Sequence, residues 1–90
     1  MTEIDVNLDN LKVIPLGVNQ YIIKTNDARI FQSYDSIIAI KQGPMVILDK
    51  ETWDYSRTTS RYLNKFLNEN KATTERRIKE GYYQLANLNK

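Results

Sequence analysis

The chain has 90 residues with neither cysteine nor histidine, and its formal charge is only +2. Those absences exclude a disulfide framework and a thiolate zinc site, and they remove the side chain that most often serves small enzymes as general base or metal ligand. The small net charge hides a division: residues 1–55 carry five Lys/Arg against eight Asp/Glu, whereas residues 56–90 carry eight against three.

A chain of this length is expected to form one domain, residues 1–90, around a single core. Residues 2–9 alternate, with Ile4, Val6 and Leu8 on one side and Glu3, Asp5, Asn7 and Asp9 on the other, the period of a half-buried strand. The acids there suit an edge strand that resists pairing with other chains; a charge this thin does not imitate a nucleic-acid duplex. Residues 11–16 continue as an extended segment, and Pro15, which has no N–H for a ladder, argues for an edge or a bulge. Residues 17–19 form a turn. Residues 20–25 and 28–33 make a hairpin about Asn26-Asp27, and residues 36–41 and 44–48 make a second about Gln42-Gly43. The nearly continuous apolar runs of that second pair suggest central strands.

After Asp49 the hydrophobic period lengthens. Tyr62, Leu63, Phe66 and Leu67 fall on one face of a helix expected over about 56–68, with Asp54, Ser56 or Thr58 as its cap and residues 68–70 as its stop. A second helix is expected over about 72–80, ended by Gly81 in the left-handed cap position. Residues 82–88 read as a short final strand, or as a tail whose Tyr83, Leu85 and Leu88 pack on the core. The expected fold is α+β, an antiparallel sheet of four to six strands with two C-terminal helices on one face.

Functional candidates lie mainly in the basic half. Arg57, Arg61 and Lys65 recur every four residues beside Asn64, and Arg76, Arg77 and Lys79 sit on the second helix; together they could grip phosphates while amides reach bases, or they could form an ordinary solvated face. Trp53 and Tyr55, two apart, could stack bases or a partner's side chains, although the plainer role for Trp53 is to close the core where sheet gives way to helix. A helix-turn-helix is disfavoured by the preceding sheet and by a turn without glycine. Thr58-Thr59-Ser60 offers hydroxyls with no base to activate them, so no enzyme and no cofactor are expected. The spacing of Asp49, Glu51 and Asp54 matches no calcium loop.

The words Ser33-Tyr34-x-Ser36-x-Ile38-Ala39 and Trp53-Asp54-Tyr55-Ser56-x-Thr58-Thr59, then Tyr62, Phe66-Leu67 and Leu85-x-x-Leu88-Asn89, resemble a family of small proteins of unknown function encoded by bacteriophages and mobile elements of Gram-positive bacteria. The resemblance spans about residues 20–89, leaves residues 1–10 without a counterpart, and brings no catalytic residues. It implies a phage or prophage origin. Together with the small size and the missing catalytic groups, it makes the expected function that of a non-catalytic accessory protein, in the bacterial cytoplasm, that binds a host macromolecule, above all a protein of the defence or replication machinery. The alternative is a small nucleic-acid-binding module using the basic helical half. No membrane contact is expected, since the longest apolar runs, residues 37–40 and 45–48, are far too short to span a bilayer. Oligomeric state is left open.

Overall fold

The computed structural model describes residues 11–89; the acidic strand expected over residues 2–9 lies outside them. Five strands come first: β1 (Lys12–Gly17), β2 (Gln20–Lys24), β3 (Arg29–Ser33), β4 (Ser36–Gln42) and β5 (Met45–Asp49). Two helices follow, α1 (Arg57–Leu67) and α2 (Lys71–Lys79), and the described chain closes with β6 (Tyr83–Ala86). The sheet runs in sequence order, β1 to β6, with β1–β5 an antiparallel meander. The antiparallel expectation needs one correction. β6 pairs parallel to β5, because the helical crossover carries the chain back to the end of the sheet from which β5 began, as a parallel neighbour requires.

Side-chain alternation assigns each sheet face. Ile22 opposes Phe31, Phe31 opposes Ala39, and Ala39 opposes Leu48, so these four share one face. Leu63, Phe66 and Leu67 of α1 cover it, in one buried cluster with Ile38, Val46 and Tyr83. Phe31 and Phe66 stack with ring centroids 5.8 Å apart. A register shift between Phe31 and Gln32 is a bulge that lets consecutive Ile38 and Ala39 both be fully buried. Trp53 is half-buried against the cluster, as its position at the sheet–helix junction suggests. Of the two readings of residues 82–88, the strand is observed; Tyr83 is buried and Leu85 exposed, so the packed tail, with Leu85 on the core, is not.

Local chemistry sets the boundaries. Ser56 caps α1 by accepting from the Thr59 N–H at 3.1 Å, and Asn68 ends it in the left-handed conformation. Asn70 caps α2 through the Thr73 N–H at 2.8 Å. Glu80 is the last cap residue, and Gly81 follows it at φ +84, where a Cβ would be strained. Pro15 sits on edge strand β1 beside a register shift. Gly17 closes that strand against the ring of Tyr62, with no room for a Cβ, which would lie 2.7 Å from Cζ.

Gln20 departs from the pattern. It is wholly buried on the covered face, and neither its amide nitrogen nor its oxygen has a partner among the described residues, although Ser33 and Thr59 nearby bond each other at 3.0 Å. Burying an unpaired amide costs on the order of 1–3 kcal/mol. Gln20→Met, of similar length and without the polar atoms, is expected to raise stability by about 1–2 kcal/mol in urea unfolding. A loss of similar size would mean that the amide is hydrogen-bonded in solution.

Candidate binding surfaces

The sheet face opposite the helices is built by the other side-chain parity. Val13 opposes Ile23, Ile23 opposes Ile30, Ile30 opposes Ile40, Ile40 opposes Ile47, and Ile47 opposes Gln84. A single cross-strand row therefore runs over all six strands and is aliphatic until its last member. On either side lie Pro15, Tyr21, Gln32 and Ile37, and then Gln42 and Met45. None of these positions is charged, in a chain of which 27% is charged. A solvated sheet face should carry polar side chains. This one carries only three glutamines and the Tyr21 hydroxyl around its aliphatic row, and no described helix or loop covers it: Val13 is 58% and Met45 45% exposed, and the isoleucines between them are only half-buried. At its β1 edge Leu11 and Val18 are also exposed, as is Ile14 on the opposite side of that strand.

The basic side chains of the helical half are distributed over several surfaces. Arg57, Arg61 and Asn64 line a cleft of about 470 Å³ with Tyr55, Ser56 and Ser60. Its lining includes the Lys71–Asp54 ion pair at 2.6 Å, and the hydrogen bond that Lys71 donates to Asp54 holds the ammonium above its ordinary pKa. Both partners are substantially exposed, so this pair contributes little stability. Lys65, one helical turn beyond Arg61, turns its ammonium over the Tyr62 ring, 5.1 Å from the centroid. Arg61 lies over the same ring at 5.3 Å, so the two cations share Tyr62 as a neighbour.

Arg76 and Lys79 line a different cleft of about 480 Å³ with Trp53, Ala72, Glu75 and Ile78. Arg77 is already engaged: its Nε lies 3.6 Å from Glu69 and its guanidinium 5.8 Å from the Tyr83 ring. Glu69 also accepts from the Thr74 hydroxyl at 2.7 Å and the Tyr83 hydroxyl at 2.8 Å. Burial and then the bond to the Glu69 carboxylate push the Tyr83 phenol up to about 12, with Arg77 opposing.

The second displaced group is Asp49, buried at the end of β5. It accepts from the Thr52 hydroxyl at 2.6 Å and from the Leu88 N–H at 2.8 Å. Burial pushes its carboxyl up, but these bonds, with others from Glu51 and Asn89, outweigh burial and hold it below the usual carboxylate range. Asp49 and Tyr83 are thus both tied into fastenings of the fold. Among the described residues no group of three or more Asp and Glu could hold a metal ion, and no helix is long and apolar enough to cross a membrane.

Sequence reasoning missed the uncharged face. The signal was present as the uncharged parity of residues 21–23, 30–32 and 45–47, but only the strand register joins them into one surface. No curated protein and no solved structure matches the chain. Residues 6–82 match a family of unknown function, DUF8033, beginning within the N-terminal segment that the phage-like words left out. The chain belongs to that family.

Proposed function

We propose that this protein is a non-catalytic binding protein whose uncovered sheet face docks a protein partner. The phage-like words in its sequence support reading it as a phage or prophage accessory factor, and the partner as a host protein of the defence or replication machinery. The observation that carries the reading is the uncharged row from Val13 to Ile47, which no helix or loop among the described residues covers. Six strands about 4.8 Å apart and about five residues long present roughly 400 Å², at the size where an exposed apolar patch marks an interaction site. A nucleic acid would need cations there.

The same area argues against a second copy as occupant. Two such faces bury about 800 Å² in total, under the roughly 1,200 Å² of the smallest specific interfaces. A partner that also wraps the apolar β1 edge at Leu11, Ile14 and Val18 gains the missing area. A nucleic-acid module on the helices is the weaker reading, because Arg57 and Arg61 line one cleft, Arg76 and Lys79 another, and Arg77 is already engaged by Glu69.

The test uses Ile30→Lys with Ile40→Glu, directly opposed positions at which the new charges offset each other. A protein captured from a Gram-positive lysate by the wild-type chain, once purified, is expected to bind one-to-one with a negative heat-capacity change. Affinity should fall at least about 100-fold for the double variant, roughly the loss of two buried anchors, and stay unchanged for Arg57→Gln/Arg61→Gln. Binding that survives the double variant would overturn the reading. So would a wild-type dimer that the double variant separates, since the face would then belong to a second copy.

A further inference from the structure

The covered face of the sheet ends in a second cross-strand row at the margin of the helical cover. Lys12 opposes Lys24, Lys24 opposes Arg29, and Arg29 opposes Lys41. Four adjacent strands thus place four cations side by side, on the parity of Ile14, Ile22, Phe31 and Ala39. Lys12, Lys24 and Arg29 are exposed and Lys41 is half-buried. None of the four forms an ion pair among the described residues. Like charges directly opposed across a sheet destabilise it, and here three such contacts follow one another.

The row has shape as well as charge. Lys24, Arg29 and Lys41 line a cleft of about 310 Å³ together with the Thr25–Ala28 turn and Gly43, and Asp27 is its one carboxylate. The turn is rigid: the Thr25 hydroxyl accepts from the N–H groups of Asp27 and Ala28 at 3.2 and 3.0 Å. Arg29 is held from the other side by the Phe66 ring, 5.9 Å from its guanidinium.

We propose that this row is a binding site for the phosphodiester backbone of a nucleic acid, separate from the open apolar face and from the helical clefts. Three interstrand steps of about 4.8 Å make a track of roughly 14 Å, and its four long side chains can each reach a separate phosphate of one strand. A phosphate strand laid across the strand ends turns three repulsive contacts into four attractive ones. The row makes backbone contacts only, so the site takes any sequence.

Fluorescence anisotropy with a labelled oligonucleotide of about 20 nucleotides, single-stranded and duplex, tests the proposal through its salt dependence. Four phosphate contacts predict a slope of log affinity against log salt near −2.8 for the single strand and near −3.6 for the duplex, so affinity for the single strand falls about 50-fold between 50 and 200 mM salt. Lys24→Gln/Lys41→Gln, which leaves Arg29 on Phe66, should flatten the single-strand slope by about 1.4. The same variant should melt about 2–4 °C higher at low salt, and this gain should vanish near 1 M salt. Rising stability with falling affinity separates a ligand site from a structural role. Ile30→Lys/Ile40→Glu should leave oligonucleotide binding intact, so this site and the docking face can fail separately. The proposal is overturned by absence of binding at low salt, by a slope that Lys24→Gln/Lys41→Gln leaves unchanged or that Arg57→Gln/Arg61→Gln removes instead, or by equal binding of polyglutamate.

Discussion

Replacing Phe31 by alanine is expected to remove about 4 kcal/mol of stability, within the usual range for a buried phenylalanine. Phe31 is fully buried at the centre of the covered face, between Ile22 and Ala39 on the neighbouring strands and under Phe66 of α1. The variant loses the stacked ring and leaves a cavity that strands on both sides keep from collapsing. A domain of this size holds only about 5–10 kcal/mol in all, so urea unfolding of the variant should begin at the lowest denaturant concentrations. A loss below about 2 kcal/mol would mean that α1 settles into the space and that the sheet–helix contact is softer than the Phe31–Phe66 stack implies.

Replacing Asp49 by alanine is expected to cost about 3 kcal/mol, as for other buried hydrogen-bonded charges whose partners are left unpaired. Its carboxylate joins three parts of the chain: the end of β5, the turn at Thr52 that leads to α1, and the Leu88 N–H after β6. The pH dependence has a definite sign. The folded-state pKa lies below the ordinary 3.8, so the stabilisation is present above pH 3.8 and is lost as pH falls through the lower folded value. Wild-type stability should therefore drop below about pH 4, and Asp49→Asn should show a shallower drop over the same window. Equal acid sensitivity in the two proteins would show that other carboxylates govern the transition.

Much of the fold was legible because local signals agreed with one another. The alternation of residues 20–24 and 29–33, the Asn26-Asp27 turn, the i, i+3, i+4 spacing of Leu63, Phe66 and Leu67, and Gly81 after α2 each place an element within a residue or two of its observed bounds. The direction of β6 was not legible. Its four residues carry no mark of parallel pairing, which the helical crossover alone decides.

The candidate surfaces were legible only in part, for a related reason. Ile37-Ile38-Ala39-Ile40 reads as a strand buried on both faces, yet only Ile38 and Ala39 are fully buried while Ile37 and Ile40 face the uncovered side. Periodicity within one strand separates two faces but does not tell which one the helices cover. The cation row is further from sequence reasoning still, because Lys12, Lys24, Arg29 and Lys41 lie on four different strands and meet only through register. Conversely, the basic residues of the two helices were read as one grip, and the structure divides them between two clefts, Arg57 with Arg61 in one and Arg76 with Lys79 in the other.

The docking claim is tested most directly by isoleucine-methyl NMR of the full chain during titration with the captured partner. Methyl signals of Ile23, Ile30, Ile40 and Ile47 should shift or broaden together, while those of core Ile22 and Ile38 and of Ile78, beside the helical cleft, stay in place. Changes centred on Ile78, with the four sheet-face isoleucines unmoved, would contradict the account.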